Sequence, residues 1–250
     1  MTRTCLVTGA GRGIGRGTAI ALAGRGYRLV LTARSADELA ETDALCGGGT
    51  LTIPADITDP GTPERIFTAA QDRFGPVGIL VANAGTGMSA SLAKTTDDDW
   101  QRMLEVNLTA PFRCVRRAVP AMVERGFGRI VVLGSVASRQ GAPYIAAYAA
   151  AKHGVLGLVR SAAAELARTG VTVNAVCPGF VDTPMTQASV DTIVARTGRD
   201  PEQARAALEA QQPMRRLIEV DEVVRAILFC LDSPGITGQG INVDGGTVQA

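Results

Sequence analysis

One stretch of sequence decides the fold of this chain: Thr8-Gly9-Ala10-Gly11-Arg12-Gly13-Ile14-Gly15. It follows an apolar run, Thr4–Thr8, that is typical of a buried strand, and it opens an amphipathic stretch, Ile14–Arg25, that is typical of a helix. Glycines between a strand and a helix allow a tight turn and let backbone N–H groups approach a pyrophosphate, which the dipole of the helix N-terminus also attracts. The stretch therefore predicts a dinucleotide-binding loop.

Short apolar runs and longer amphipathic stretches alternate along the whole chain. Several of the apolar runs are nearly continuous in Val, Ile and Leu, as expected for parallel strands covered by helices on both faces. The alternation predicts an α/β fold, a doubly wound parallel sheet (Rossmann fold) of about seven strands with helices on both faces. The predicted strands are Thr4–Thr8, Arg28–Thr32, Thr50–Pro54, Ile79–Ala82, Arg129–Leu133, Val171–Val176 and Gly240–Val243. The predicted helices are Ile14–Arg25, Ala36–Leu45, Pro63–Phe74, Trp100–Arg125, Ala147–Arg168 and Val220–Leu231.

The 250 residues suffice for one α/β domain with a sizeable core, and we find neither a linker nor an internal repeat. We therefore predict a single dinucleotide-binding and catalytic domain over 1–250. Residues 182–216 depart from the strand–helix rhythm and contain Pro184, Pro201 and Pro213. A long excursion at the carboxyl end of a strand is a typical position for a substrate lid. The alternative is a surface helical hairpin without a role in binding.

The composition excludes several classes of function. Apolar residues make up 46% of the chain and charged residues 20%, as in a globular protein. The formal charge is +1, so no basic surplus predicts nucleic-acid binding. The N-terminal sequence lacks the apolar stretch of a signal peptide, and no apolar run approaches the ~20 residues that span a bilayer. We expect a cytoplasmic protein without nucleic-acid or membrane partners.

The five cysteines are odd in number, widely separated and without a CxxC pair, which suits a reducing cytosol. Because His153 is the only histidine, we expect no metal site. We interpret Cys177 as a small buried residue rather than a nucleophile, and His153 as structural or exposed. The cysteines are Cys5, Cys46, Cys114, Cys177 and Cys230.

A phenol and an ammonium are four residues apart at Tyr148 and Lys152, which places them on one face of a helix. A free phenol has a pKa of about 10, and we expect a nearby Lys⁺ and an oxidised nicotinamide ring to lower it. Such a pair is weak support alone, because it arises by chance in many helices. Ser135 strengthens it: this serine directly follows the run Arg129–Gly134 at a strand end, thirteen residues before Tyr148, and ligands bind at the carboxyl ends of strands.

These motifs together resemble the short-chain dehydrogenase/reductase family over essentially all of the chain. The resemblance rests on the Gly-x-x-x-Gly-x-Gly spacing, the Gly134-Ser135 strand end and the Tyr148–Lys152 pair. It implies that Ser135 binds the substrate oxygen, Tyr148 transfers the proton and Lys152 contacts the nicotinamide ribose. It also implies that Asn107 anchors a water in the proton relay. The alternative for Asn107 is a helix kink or a buried hydrogen bond.

The end of the second strand indicates which dinucleotide is bound. An acidic residue there would repel a 2′-phosphate, but the chain has Ala33 followed by Arg34, and Arg12 adds a second positive group. We therefore favour NADP(H) over NAD(H); the alternative is that both arginines are merely solvated. The predicted cofactor-binding residues are Gly9, Arg12, Gly13, Ile14, Gly15, Arg34, Asp56, Ile57, Asn83, Ala84, Gly85, Tyr148, Lys152, Pro178, Gly179, Val181 and Thr183.

The resemblance assigns positions around the dinucleotide to several of these residues. Asp56 and Ile57 would flank the adenine, and the run Asn83-Ala84-Gly85 would lie beside the nicotinamide ribose. The backbone of Val181 and the hydroxyl of Thr183 would position the nicotinamide amide.

The overall pattern, including residues 165–174 and 177–185, resembles bacterial 3-oxoacyl-thioester reductases and aromatic polyketide ketoreductases. We expect an NADP(H)-dependent oxidoreductase that interconverts a ketone and a secondary alcohol, with a 3-oxoacyl/3-hydroxyacyl thioester or polyketide-type ketone as substrate. A broad-specificity ketone reductase and a 3-hydroxybutyrate-type dehydrogenase are alternatives, although Ile145 replaces the lysine that the latter use for the carboxylate. A catalytically idle dinucleotide sensor is the alternative from another class. The resemblance also implies a homo-oligomer, commonly a tetramer.

Overall fold

The computed structural model describes residues 3–249. Within that range seven strands are present: β1 (Thr4–Thr8), β2 (Arg28–Ala33), β3 (Leu51–Pro54), β4 (Val77–Ala82), β5 (Gly128–Leu133), β6 (Val171–Pro178) and β7 (Gly240–Val243). The α-helices there are α1 (Gly13–Ala23), α2 (Ala36–Leu45), α3 (Thr62–Phe74), α4 (Asp97–Leu104), α5 (Ala110–Glu124), α6 (Ala146–Leu166), α7 (Pro184–Thr197), α8 (Pro201–Glu209) and α9 (Val220–Asp232).

All strand pairs of the described sheet are parallel, in the order β3-β2-β1-β4-β5-β6-β7. After β1 the chain moves to one side of the sheet, and β4 begins the other side. The carboxyl ends of β1 and β4 therefore flank the crevice where such sheets bind ligands. The predicted doubly wound parallel sheet is confirmed.

Two apolar layers cover the two faces of the sheet. One layer packs α3, α5 and α6 onto the strands through residues such as Phe67, Met122 and Val159. The other layer packs α1, α2 and α9 through residues such as Leu22 and Ile227. With both faces buried, the strands can be apolar at successive positions, which explains their continuous Val/Ile/Leu runs.

The predicted helix Trp100–Arg125 is wrong in two respects. It begins earlier, at Asp97, because the Thr96 side chain accepts a hydrogen bond from the Asp99 N–H and caps the first turn. It is also divided by a π-helical turn at Glu105–Thr109. Pro111 has no N–H to donate to the carbonyl four residues before it, so the regular α-helical ladder is interrupted there.

Residues 182–216 contain α7 and α8, which pack against each other around Val190, Ala204 and Leu208. This small cluster is separate from the two main layers, and it stands beyond the carboxyl end of β6. The substrate-lid role stays a prediction. None of the helices in residues 3–249 is long and apolar enough to cross a membrane.

Candidate active site

In the glycine loop after β1, only glycine fits at the positions where the backbone comes closest to neighbouring atoms. Gly9 and Gly13 have φ values of +66° and +54°, which favour glycine. A Cβ at Gly15 would lie 2.1 Å from the carbonyl oxygen of Gly9. In the described chain no side chain caps the N-terminus of α1 after Arg12, so its first N–H groups can bind an anion. The loop therefore fits the pyrophosphate of a dinucleotide.

Asn83 at the end of β4 holds this loop in place. Its Nδ2 donates to the carbonyl oxygens of Thr8 and Gly9 at 2.9 and 3.1 Å. In return, the Thr8 Oγ1 accepts from the N–H groups of Asn83 and Ala84, each at 3.0 Å. The sequence placed Asn83 beside a ribose, but it did not reveal this tie between the ends of β1 and β4.

Charged side chains surround the end of β2. Arg34 is exposed, and Arg12 lies 3.5 Å from a carboxylate oxygen of Glu38. A Cβ at Gly11 would lie 2.9 Å from that same carboxylate, so Glu38 stands against the glycine loop. Sequence reasoning missed Glu38, because α2 brings it back to the loop from five residues beyond Ala33.

The two residues predicted to flank an adenine differ in exposure. The pKa of the exposed Asp56 is lowered, first by hydrogen bonds from the Thr58 N–H and hydroxyl and then by the nearby charge of Arg34. The Ile57 side chain is packed in the core, so a contact between Ile57 and an adenine would use its backbone.

Ser135 follows the end of β5, and its side chain lies within hydrogen-bonding reach of Tyr148. It is buried and caps a short 3-10 helix, Val136–Ser138, where its Oγ accepts a 3.1 Å hydrogen bond from the Ala137 N–H. The Ser138 hydroxyl in turn accepts from the Ser135 N–H at 3.1 Å. These bonds fix the Ser135 oxygen, and neither of them uses its O–H, which is left to donate toward the Tyr148 phenol or a substrate oxygen.

Tyr148 and Lys152 lie on α6 beside Ser135. Burial raises the pKa of Tyr148, while its hydrogen bond with Ser135 lowers the pKa in part and the nearby Cys177 raises it. Burial lowers the pKa of Lys152 to about 8. The Lys152 Nζ is 5.8 Å from the centre of the Tyr148 ring. Burial of the phenol outweighs the other influences, so the pKa of Tyr148 lies above its ordinary value, and the lowering by Lys⁺ together with an oxidised nicotinamide stays a prediction.

Asn107 is fully buried in the π-helical turn. Its Nδ2 donates to the carbonyl oxygens of Thr86 and Met103, and its Oδ1 accepts from the Thr86 N–H at 3.2 Å. A Cβ at Gly85 would lie 2.9 Å from this Oδ1 and 3.7 Å from the Lys152 Nζ. The amide thus lies next to the lysine, with one acceptor position of Oδ1 left for a water.

The segment after β6 brings the remaining predicted cofactor residues to the glycine loop. Pro178 ends the strand, and the Gly179 N–H donates to the Val243 carbonyl oxygen at 3.0 Å. A Cβ at Gly13 would lie 3.3 Å from the Thr183 methyl group. The Thr183 hydroxyl donates to the Val181 carbonyl oxygen at 3.3 Å. The start of the predicted lid is therefore packed on the predicted dinucleotide site.

The remaining nucleophilic and titratable groups lie away from this arrangement or are inert. The exposed His153 has its Nδ1 2.8 Å from the Ala149 carbonyl oxygen. Cys177 is buried at the end of β6, and burial raises its pKa. In the part of the chain that the structure describes, no group of three His, Cys, Asp or Glu residues could hold a metal ion.

The chain is similar to known proteins over nearly its whole length. A family model described as enoyl-(acyl carrier protein) reductase matches residues 9–248. The chain is 36% identical to D-beta-hydroxybutyrate dehydrogenase of Rhizobium meliloti, over 98% of each chain. It is 37% identical to 3-oxoacyl-(acyl-carrier-protein) reductase FabG of Escherichia coli, over 98% of this chain and 96% of that protein.

A solved structure is similar over nearly the whole chain. A single-residue variant of actinorhodin polyketide ketoreductase with NADPH superimposes with a TM-score of 0.94 at 36% identity, covering 98% of this chain and 97% of that one. The resemblance inferred from the sequence is confirmed by both kinds of comparison. The chain belongs to the short-chain dehydrogenase/reductase family, and it is an oxidoreductase.

Proposed function

We propose that this chain is an NADP(H)-dependent reductase that converts a ketone to a secondary alcohol, with 3-oxoacyl thioesters or polyketide-type ketones as its natural substrates. One observation carries the proposal. The Ser135 hydroxyl, the Tyr148 phenol and the Lys152 ammonium meet at the carboxyl edge of the sheet, beside a loop that fits a pyrophosphate.

Each of these residues has a distinct role. Tyr148 donates a proton to the carbonyl oxygen of the substrate, and Ser135 donates a hydrogen bond that stabilises the developing negative charge on that oxygen. Lys152 provides a positive charge that favours the tyrosinate left behind, and Asn107 holds the water that returns a proton. A bound nicotinamide supplies the hydride. Because burial raises the Tyr148 pKa, the phenol carries its proton at neutral pH, as a general acid must.

The choice of NADP(H) rests on charge at the end of β2. Ala33 provides no carboxylate to repel a 2′-phosphate, and Arg34 and Arg12 offer guanidinium groups for it. The similar ketoreductase structure holds NADPH. Glu38 opposes this preference, since it already pairs with Arg12. Arg34 is therefore the principal phosphate ligand, and NAD(H) is the weaker alternative.

The substrate class is inferred from relatives and from one position. The names of the relatives indicate 3-oxoacyl or 3-hydroxybutyrate substrates. A putative ketoacyl reductase of Streptomyces coelicolor is also 37% identical, over 98% of this chain. Ile145, directly before α6, offers no charge for a free carboxylate. This favours a thioester or a neutral ketone over a free 3-hydroxy acid.

A side-by-side substrate panel tests this proposal. NADPH or NADH consumption is followed with a 3-oxoacyl thioester, the corresponding 3-oxo free acid and a bulky cyclic ketone. We expect the highest kcat/KM with the thioester or the cyclic ketone as substrate, and with NADPH rather than NADH as the hydride donor. Preference for the free acid would assign a hydroxybutyrate-type dehydrogenase instead. Tight NADPH binding without turnover of any carbonyl or alcohol would assign a dinucleotide sensor.

We also propose that the protein is a homotetramer in the cytoplasm. The aromatic side chains of Trp100 on α4 and Phe112 on α5 are about two-fifths exposed, at 41% and 40%, which suits helix faces covered by another copy. All five cysteines are unpaired in the described structure, as in a reducing compartment. Light scattering that gives the mass of one 25.9 kDa chain would contradict the tetramer.

A further inference from the structure

The side-chain amide of Gln212 is buried near the C-terminal end of the predicted lid, and it is not one of the proposed catalytic groups. Gln212 is 1% exposed, whereas its neighbours Gln211 and Pro213 are exposed. Polar side chains are rarely buried to this extent unless hydrogen bonds compensate for the water they lose. The bonds that Gln212 makes therefore indicate its role.

Two hydrogen bonds join the Gln212 amide to the backbone of Phe180, 32 positions away. Its Oε1 accepts a 2.9 Å hydrogen bond from the Phe180 N–H, and its Nε2 donates to the Phe180 carbonyl oxygen at 3.2 Å. The same Nε2 also donates to the Arg216 carbonyl oxygen. A Cβ at Gly179 would lie 2.1 Å from the Gln212 Oε1, so the side chain is packed directly on this backbone.

Phe180 lies in the segment that we propose to hold the nicotinamide. The Ile218 N–H donates to the Phe180 carbonyl oxygen and the Asp182 N–H to the Ile218 carbonyl oxygen, each at 2.9 Å. Because backbone groups alternate in direction along extended chain, those of the intervening Val181 face away from Ile218. The Val181 carbonyl oxygen already accepts from the Thr186 hydroxyl at 2.6 Å. The Val181 N–H is therefore the group left to meet a ligand.

We infer that Gln212 is a positioning residue for the nicotinamide end of the cofactor. Its hydrogen bonds to the Phe180 backbone fix the direction of the adjacent Val181 N–H. The inference rests on the proposed NADP(H) function. An apolar side chain of the same size would fill the space, but it would leave the Phe180 N–H without its acceptor and would remove one donor from the Phe180 carbonyl oxygen, which shares a peptide plane with the Val181 N–H. The backbone could then rotate, and the Val181 N–H would lose its orientation.

Binding of NADPH and of a fragment that lacks the nicotinamide tests this inference. The fragment is 2′-phospho-ADP-ribose, and calorimetry gives both Kd values without turnover. Gln212→Met keeps the side-chain volume and removes its hydrogen bonds, while Gln211→Met makes the same change at the exposed neighbour. We expect Gln212→Met to raise the Kd for NADPH about tenfold, about the effect of losing one hydrogen bond between the Val181 N–H and the nicotinamide end. Its Kd for the fragment should stay within about twofold of the wild type, and Gln211→Met should alter neither Kd.

Other outcomes overturn the inference in recognisable ways. Equal loss of affinity for NADPH and for the fragment would show that Gln212 has a merely structural role. An unchanged Kd for NADPH would show that Gln212 has no role in positioning the cofactor. If Gln212→Met does not fold, Gln212→Glu replaces it, since a carboxylate still accepts from the Phe180 N–H but cannot donate to the two carbonyl oxygens. The same nicotinamide-selective loss is expected. Failure of the wild type to bind NADPH would instead refute the proposed function itself.

Discussion

The Nζ of Lys152 donates a 2.7 Å hydrogen bond to the carbonyl oxygen of Leu133. Leu133 ends β5 two residues before Ser135, so the lysine is fixed to the strand that presents the serine. The ammonium is buried, and burial lowers the Lys152 pKa to about 8. The fold therefore accommodates this charge at a cost in stability, as expected for a residue retained for function.

We predict that Lys152→Met abolishes reduction without weakening the fold. Removing the buried ammonium at neutral pH relieves about 3 kcal/mol, from a pKa lowered from 10.5 to about 8. Loss of the Leu133 hydrogen bond offsets about 1–3 kcal/mol of this gain. The free energy of unfolding without cofactor, measured by urea titration, should be unchanged or up to about 2 kcal/mol higher. The other lysine, Lys94, is exposed, and Lys94→Met serves as the control.

The same pKa shift predicts how this difference depends on pH. Between about pH 8 and 10.5 the unfolded lysine keeps a proton that the folded one has lost, so the Lys152 contribution to stability rises with pH in this window. Below pH 8 both forms are protonated and the cost is constant. The advantage of Lys152→Met over the wild type should therefore be largest at pH 7 and shrink toward pH 9. An advantage that grows with pH would show that the lysine is not buried as a cation.

We predict opposite effects on NADPH for two charges at the end of β2. Arg34→Ala should raise the Kd for NADPH about tenfold and leave the Kd for NADH nearly unchanged, because only NADPH carries the 2′-phosphate. Glu38→Gln should lower the Kd for NADPH about threefold, since it frees Arg12 from its ion pair. Fluorescence titration with both dinucleotides measures these effects. Equal changes for the two dinucleotides would refute the phosphate assignment.

Two glycine-to-alanine changes should have opposite consequences. Gly15→Ala places a Cβ 2.1 Å from the Gly9 carbonyl oxygen, so we expect loss of dinucleotide binding and a stability loss of about 1–3 kcal/mol. Gly157→Ala lies inside α6, where the new Cβ meets no atom within 4 Å. It should stabilise the protein by about 0.5–1 kcal/mol and preserve binding. Thermal unfolding and NADPH titration distinguish the two, and a binding-competent Gly15→Ala would contradict the loop geometry.

Much of this architecture could be predicted because it depends on local pattern. Burial on both faces makes β1 a continuous apolar run, and its predicted bounds, Thr4–Thr8, agree with the structure to the residue. The predicted bounds of the partly buried edge strand Gly240–Val243 agree as well. The glycine loop is recognisable because its turn excludes side chains. Ser135 follows from its position at a strand end, which a parallel sheet turns into a position in the crevice.

The features that the sequence did not reveal depend on contacts between distant residues. Glu38 reaches the glycine loop only because α2 folds back on it, and Gln212 reaches Phe180 across the whole predicted lid. The direction of the Tyr148 pKa depends on how deeply the packing buries the phenol. No periodicity or motif spacing encodes such distances, so these features required the folded chain.

Removal of the Tyr148 hydroxyl tests most directly whether Tyr148 is the proton donor in the reduction. NADPH consumption with a 3-oxoacyl thioester is measured for the wild type, Tyr148→Phe and His153→Ala. We predict that Tyr148→Phe lowers kcat at least about a hundredfold while NADPH binding persists, and that His153→Ala behaves as the wild type. Substantial reduction by Tyr148→Phe would contradict the assignment of Tyr148 as the proton donor.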